Sequence, residues 1–469
     1  MKSLAVNKNY LEKLLFTVSK PTRYIGEEIN QVRKDFDNTE FKIALSYPDL
    51  YELGMSNLGI KILYELINAH DKMLCERVFM PWFDMIDKLK EHNMDLFSLE
   101  SRIPLRFFDM IGFSLQYELT YTNILGILDL AKIPLYSKDR SNDFPIIIAG
   151  GPCTYNPEPL ADFIDFFVIG ESENAVIEIG KRFVEYKKAG LKKKEMLMEF
   201  SSLTGIYVPS NRNAIYVSDR DLNKEGIKNN KIKRLISNDL NNIKAPIKPP
   251  VPYLQVIQDY GAVEVTRGCT VGCRFCQAGM IYRPVRERNI NNIINYCEAL
   301  IKNTGYHEVS LLSLSVADYT NLPSLIDALN SRFNDIGISF SLPSLRIDNF
   351  TLDVAVKVKE IRKSGLTFAI ESGSEYIRNI INKSVSENKL LEIVKRISEL
   401  GWKKIKLYFM IGFPISNNDY NDSNGKKLSN LSEEEEIISL INKLLSVNKK
   451  LQLNVSIGTF IPKPHTPFQ

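Results

Sequence analysis

A chain of 469 residues is too long for one ordinary domain, and 44% apolar with 25% charged side chains places it in the soluble globular class. Sixty Lys and Arg against 56 Asp and Glu leave a net charge of +4, a balance that neither demands nor excludes nucleic acid as a partner. The N-terminus, "MKSLAVNKNYLEKLLFTVSKPTRY", lacks the long apolar stretch and small-residue cleavage site of a signal peptide, and no run of eighteen apolar residues follows. The expected location is therefore the cytosol, where six cysteines stay reduced and a tight cysteine cluster means a metal site or a redox pair.

Residues 1–40 form an N-terminal segment. From 41 to 203, short apolar runs alternate with helical patterns. "FKIALSYP", "FFDMIGFSL", "FPIIIAGGP" and "IDFFVIGES" are strands, and "SNLGIKILYELINAH", "ELTYTNILGILDLAK" and "NAVIEIGKRFVEY" are helices. Continuous apolar runs that end in polar or Gly-rich loops are the mark of buried parallel strands. This predicts a doubly wound, Rossmann-like α/β domain with its ligand at the carboxyl ends of the strands. Residues 204–258 break the pattern: "GIYVPSNRNAIYVSD" suggests a hairpin, and the Lys/Asn-rich stretch after it closes on several prolines, as a linker does.

From 259 to 469 a second alternation runs. The strands are "AVEVTRG", "EVSLLSLSV", "SFSLPSLRI", "LTFAIES", "KIKLYFMIGFP" and "LQLNVSIGTFIP". The helices are "NINNIINYCEALIKN", "LPSLIDALNSRF", "LDVAVKVKEIRKS", "YIRNIINKSVSENKLLEIVKRISEL" and "SEEEEIISLINKLLS". Six strands and five intervening helices predict a partial (βα)6 barrel of TIM type, whose right-handed crossovers make the strands parallel. "SNNDYNDSNGKKLSNLSEEEE" interrupts the fifth connection as a solvated insertion without chemistry.

"RGCTVGCRFCQAGMIYRPVRER" follows the first barrel strand and holds Cys269, Cys273 and Cys276. Thiolates suit zinc, copper(I) or iron–sulfur clusters. A structural zinc site wants four ligands in two close pairs, and the other cysteines, Cys75, Cys153 and Cys297, are isolated, as are His70, His92, His307 and His465. A [4Fe–4S] cluster also normally takes four cysteines, so three leave one iron open, the mark of a catalytic metal. Gly268 and Gly272 allow sharp turns, and Phe275 can shield a cluster from water. A redox Cys273–Cys276 pair would leave Cys269 unexplained, and three merely buried cysteines at this spacing would be coincidence.

The motif Cys-x-x-x-Cys-x-x-Cys after the first strand of a six-strand βα repeat resembles the radical S-adenosylmethionine (SAM) superfamily. "RGCTVGCRFCQAGMIYRPVRER", "AGGPCTYNPEPLADFIDFFVIGESE" and "FIPKPHTPFQ" are similar to an uncharacterised subgroup with an N-terminal cobalamin-binding-like domain, over nearly the whole chain from about Tyr24. The resemblance implies an open iron chelated by SAM, and one electron from a low-potential donor of flavodoxin or ferredoxin type. It further implies reductive cleavage to methionine and a 5′-deoxyadenosyl radical, so the protein's own task is position and a dry site. Carried over position by position, it implies Ser313, Ser315 and Asp318 near the methionine amino group, Glu371 and Ser372 near the ribose, Lys383 near the carboxylate and Gly412 behind the adenine. Against this stand ordinary roles: Ser and Asp cap helices, Glu371 pairs with a lysine, and Lys383 is solvated.

In the first domain the best-known cobalamin loop carries Asp-x-His-x-x-Gly, whereas "YPDLYELGMSNLGI" has Asp49 and no His. The expectation is either cobalamin held without histidine, lined by Tyr47, Gly150, Gly151 and Glu171, or a domain that holds substrate or only packs. Methylthiolation or methylation of tRNA or another macromolecule is an alternative, with Arg283, Arg286 and Arg288 either meeting phosphates or bridging the cysteine loop to the next helix. Second-cluster chemistry would need a further cysteine group, which this chain lacks. A reading of another class is a non-catalytic iron–sulfur electron carrier or sensor, against which the open iron argues. The chain stops at Gln469 inside a segment resembling the middle of the subgroup's pattern, so either a C-terminal domain is absent or the sequence is a fragment.

Overall fold

Phe41–Tyr47 (β1) is buried along nearly its whole length, as a strand covered on both faces must be. In the computed structural model, which describes residues 5–214, 232–343, 366–383, 385–415 and 431–469, β1 lies second in a six-stranded sheet. Its neighbours are β2 (Met73–Phe79), β3 (Met110–Ser114), β4 (Ile146–Gly150), β5 (Phe166–Val168) and β6 (Ile206–Tyr207), in the order β2–β1–β3–β4–β5–β6. β1 to β5 run parallel and β6 antiparallel to β5. Alternate residues feed two cores. Ala44, Ile111, Ile147 and Phe167 face one, Ile43, Met110, Ile148 and Phe166 the other. Helices α3 (Leu58–Asn68) and α6 (Glu173–Lys188) bury Ile60 and Val176 in the second core. Helices α1 (Lys8–Leu15), α4 (Phe83–Glu91) and α5 (Tyr121–Leu130) close the first; the short α2 (Tyr51–Gly54) and α7 (Lys193–Ser201) complete the second. This is the doubly wound arrangement, and the strand order reverses between β1 and β3, the place where such sheets open a ligand crevice.

Two features differ from the sequence expectation. β2, "MLCERVF", has no counterpart in it, because Glu76 and Arg77 interrupt the apolar run. Both charges are buried and paired: Arg77 with Glu28 and Glu100, Glu76 with Ser98 and Ser101. In "GIYVPSNRNAIYVSD" the first arm joins β5 as β6, and Pro209–Ala214 coil into a 3-10 helix where the expected hairpin would turn; the second arm lies outside the described residues.

The chain divides into two units: 1–238, 243–259 and 302–304 make the first, and 239–242, 260–301 and 305–469 the second. The second holds two three-stranded parallel sheets. One joins β7 (Gly261–Glu264), β10 (Glu308–Leu312) and β11 (Ser339–Ser341); the other joins β12 (Leu366–Glu371), β13 (Lys404–Ile411) and β14 (Gln452–Thr459). The short strands β8 (Thr266–Arg267) and β9 (Arg286–Glu287) pair antiparallel. Val263, Val309, Phe340, Phe368 and Leu407 turn to the helical side and share one core with α9 (Ile290–Thr304) and α10 (Leu322–Phe333). Six parallel strands with helices on one side are the partial (βα)6 class expected; the helix at "LDVAVKVKEIRKS" and most of "SNNDYNDSNGKKLSNLSEEEE" lie outside the described residues.

The single helix expected at "YIRNIINKSVSENKLLEIVKRISEL" is two: α11 (Glu375–Ile380) and α12 (Glu387–Glu399). Asn382 adopts φ 57°, which ends the first, and Ser386 caps the second through the Lys389 N–H. The helix expected at "SEEEEIISLINKLLS" is α13 (Glu433–Val447), which Ser432 and Glu435 open with a capping box, so the four glutamates shared with the expected insertion belong to its first turn.

Candidate functional site

The stretch from 268 to 285 leaves β8 and returns at β9, whose pairing closes the loop at its base. Gly268 sits at φ 93°, where a Cβ would lie 2.6 Å from the carbonyl oxygens of both Tyr282 and Pro284, so only glycine passes. Cys276 caps α8 (Gln277–Ile281), its Sγ accepting the Gly279 N–H at 3.4 Å. The other side of the loop docks on the end of α11. Asn382 Nδ2 donates to the carbonyls of Val271 and Gly272 at 2.7 and 3.1 Å, and the Arg274 N–H donates to Ile381 O at 3.0 Å. Phe275 packs edge-on to Phe413, 6.1 Å between centroids, in an apolar cluster with Ile377, Ile381 and Phe460.

Cys269, Cys273 and Cys276 are free thiols close enough to perturb one another. Burial pushes the Cys273 thiol up to about 11, opposed by Lys383 and reinforced by the two neighbouring cysteines and Glu371; Cys276 is raised by the same burial. Metal binding must displace those protons. Among the described residues no three His, Cys, Asp or Glu side chains close around a point as they would around a single ion. A loop of three thiols with a backbone N–H on one sulfur and an aromatic shield fits the donor set of an iron–sulfur cluster. Cys75 and Cys153 lie in the cores of the first unit's sheet, Cys297 in the helical core of the second.

Of the other expected residues, Glu371 and Lys383 act on the cysteines and Ser313 reaches the base of the loop. Glu371, at the end of β12 with φ 73°, accepts from Lys383 Nζ at 3.3 Å, and both act electrostatically on Cys273 and Cys276. Ser372 follows it, and the fully buried Arg378 fixes the turn by donating to Ser372 O, Gly373 O and Val385 O at 2.8, 2.9 and 2.8 Å. After β10, Ser313 bonds Thr266 at the end of the first barrel strand and accepts the Ser315 N–H at 3.0 Å. Ser315 Oγ is buried with no hydrogen-bond partner among the described residues, and Asp318 closes the 3-10 turn behind it. Gly412, after β13 at φ 82°, donates its N–H to both oxygens of Glu433 at 3.2 and 3.3 Å. Sequence reasoning missed Glu433, Arg378, Asn382 and Gln277, whose buried Nε2 also lacks a partner among the described residues. Nothing in their local sequence marks them. Arg286 and Arg288 are buried, the one bonded to the Pro284 and Tyr282 carbonyls, the other to Glu264 O and stacked over Tyr296. These two therefore brace the cysteine loop, whereas Arg283, the third arginine of the stretch, is exposed.

In the first unit, the loops after β1 and β3 meet at the reversal point: Tyr117 OH donates to Asp49 Oδ2 at 2.8 Å, and Asn123 Nδ2 to Pro48 O at 2.9 Å. Tyr47 is buried beside them. Space beyond Gly150 is open, whereas Gly151, at φ 103°, lies against the Leu115 backbone. Glu171 Oε2 accepts the Ser237 N–H at 2.8 Å, and Leu235 pairs along the end of β5, so that strand end is already lined by the 235–237 segment. His70 and His92 both lie at helix ends, so no histidine of this unit stands at a strand's carboxyl end.

Family models match this chain twice: residues 59–209 fit "radical SAM proteins, N-terminal", and residues 263–423 fit the "radical SAM superfamily". The chain belongs to the radical SAM superfamily. It is an enzyme of that superfamily, which implies a [4Fe–4S] cluster and SAM. An uncharacterised protein of Methanocaldococcus jannaschii is 28% identical over 430 residues, which is 91% of this chain and 79% of that one. A ribosomal protein uS12 methylthiotransferase of Thermotoga sp. is 26% identical over 33% of this radical SAM chain and 38% of its own. Among solved structures, the radical SAM methyltransferase TsrM from Kitasatospora setae, bound to cobalamin and a [4Fe–4S] cluster, superposes with TM-score 0.59 at 11% identity over 91% of this chain and 73% of its own. The cobalamin-dependent SAM radical enzyme OxsB gives 0.57 at 14% identity over 91% of this chain, which spans 60% of OxsB. At such identities the likeness is one of fold. No helix of the described residues is long and apolar enough to cross a membrane.

Proposed function

We propose that Cys269, Cys273 and Cys276 hold a [4Fe–4S] cluster with one iron left for SAM, and that the chain catalyses a radical SAM reaction ending in methyl transfer to an unidentified substrate. The observation that carries this is the meeting of the cysteine loop with Glu371 and Lys383, which stand twelve positions apart on the far side of the barrel sequence. When bound, the cluster supplies the electron that cleaves the SAM sulfonium bond. The chain's own residues do the rest. Lys383 offers an ammonium to a carboxylate, and Glu371 holds that ammonium in place and can accept from hydroxyls. Ser315 Oγ offers a hydroxyl that no protein group uses among the described residues. Phe275, Phe413 and Phe460 exclude water from one side of the loop.

Methyl transfer is favoured over methylthiolation because no second cysteine group exists in the chain. It is supported by two neighbours of like fold, TsrM and OxsB, that bind cobalamin and whose likeness spans both units. Cobalamin would lie at the carboxyl ends of β1, β3 and β4, over the open space at Gly150 and beside Tyr47 and Tyr117, without a histidine ligand. The electron comes from a low-potential protein of flavodoxin or ferredoxin type. Anaerobic, iron- and sulfide-reconstituted chain with dithionite is expected to convert SAM to 5′-deoxyadenosine or S-adenosylhomocysteine, and to retain hydroxocobalamin through gel filtration. An electron carrier would show the cluster and neither product, and that result would end this reading.

A further inference from the structure

A cavity of about 670 Å3 opens in the first unit at the end of the sheet opposite Gly150 and Glu171. Its walls come from the residues just before β5, the exit of β6 and the start of α7. β4 alone, five residues at about 3.3 Å each, puts roughly 15 Å between this end and the expected cobalamin crevice.

The floor is a buried charge cluster with one carboxylate and two cations. Asp165 accepts from Ser137 Oγ, from Arg140 Nη2 at 3.1 Å, from Lys193 Nζ at 2.9 Å and from the Ile147 N–H at 2.7 Å. The Asp165 and Arg140 side chains are fully buried and that of Lys193 is 9% exposed. Arg140 also donates to the carbonyls of Pro134, Leu135 and Phe163, yet its Nε has no acceptor among the described residues. Lys193 Nζ also donates to Pro145 O at 3.3 Å, and burial lowers its pKa against the pull of Asp165. With both cations charged, the cluster therefore carries one positive charge more than Asp165 balances, and an anion in the cavity would favour the charged ammonium. Exposed Lys138 and Lys194 add two cations at the rim against one further carboxylate, Asp162. The amide end of α7 faces the same place but is already capped: the Lys193 N–H donates to Asn142 Oδ1 at 3.0 Å and Glu195 accepts the Lys192 N–H at 2.7 Å, so the cations at this end are side chains. The rest of the wall is apolar: Leu197, Met198, Val208 and Pro209 line it, and Met198 is 66% exposed.

We propose that this cavity binds a small organic anion, its phosphate or carboxylate head on Lys193, Lys138 and Lys194 and its apolar part against Leu197 and Met198. The apolar wall of Met198, Val208 and Pro209 beside these lysines favours a small organic anion over a phosphodiester backbone, which would leave that wall unused.

The test is calorimetric titration of the full chain with phenyl phosphate, benzoate and inorganic phosphate. Saturable one-to-one binding of phenyl phosphate or benzoate, at least about tenfold tighter than inorganic phosphate, is expected, and whichever of the two binds identifies the head group. The double variant Lys138→Glu/Lys194→Glu, confined to exposed side chains, should weaken that binding by about tenfold or more with the circular dichroism unchanged. Met198→Asp should bring the organic probe down to the level of inorganic phosphate. Absence of saturable binding at millimolar probe, or binding indifferent to the double variant, overturns the proposal. So does an RNA oligonucleotide that binds through Lys138 and Lys194 when neither small anion does.

Discussion

Lys383 and Glu371 show how single residues acquire a function from their setting. In a solvated pair their 3.3 Å contact would be worth little, but at 14% and 11% side-chain exposure beside three thiols it fixes the position of a cation. Lys383→Met should weaken SAM binding by about tenfold while leaving cluster absorbance intact, read by equilibrium dialysis on reconstituted protein. Equal SAM affinity in the variant would remove Lys383 from the site. Cys273→Ser is expected to abolish both the cluster's absorbance and SAM cleavage; a variant that keeps its iron content would show that this thiol is no ligand. Cys273 and Glu371 were legible because each stands at or after the end of a strand, whereas Lys383, which follows α11, was named only through the family resemblance. Sequence alone was blind to Asn382 and Glu433, whose partners, the carbonyls of Val271 and Gly272 and the Gly412 N–H, lie across the fold and are backbone atoms without residue identity.

At the level of the element, the cysteine loop depends on its own turns more than on apolar burial. Gly268 has no room for a Cβ and a φ that L residues avoid. Gly268→Ala should strain or open the loop at a cost of about 1–3 kcal/mol, seen as iron content falling well below that of the parent protein after identical reconstitution. Full iron occupancy in Gly268→Ala would mean that the loop relaxes freely. The same scale explains why β2 was invisible. A strand carrying Glu76 and Arg77 does not look buried, and it becomes so only because Glu28, Glu100, Ser98 and Ser101 arrive from other segments. The split of one expected helix into α11 and α12 has the converse origin. Helical periodicity runs through 381–386, and the break exists to bring Asn382 and Lys383 to the cysteine loop.

For the molecule as a whole, the two units should respond to different agents. Cluster binding adds stability only to the unit that holds the thiols, so reconstitution should raise the melting temperature of the second unit's transition and leave the first unit's unchanged, by differential scanning calorimetry. In the first unit, burial lifts the Glu100 carboxyl from 4.5 to about 7, against the pull of Arg77 and with the push of Glu76 and Glu28. The folded state therefore holds a proton that the unfolded chain has lost between those values, and stability falls as pH rises through that window. Relative to Glu100→Gln, the parent's advantage in thermal midpoint should be larger at pH 5 than at pH 8; the opposite order would show that Arg77 keeps this carboxyl ionised. What the sequence determined by itself was the alternation of strand and helix, the two-part α/β plan and the cysteine spacing, because periodicity and short-range ligand geometry are local properties of a chain. Only the tertiary structure decided which strand ends meet at the thiols, which arginines brace the loop, and where a buried Asp165 leaves Arg140 and Lys193 in excess. Those depend on distances between segments far apart in sequence, which packing sets and composition does not encode.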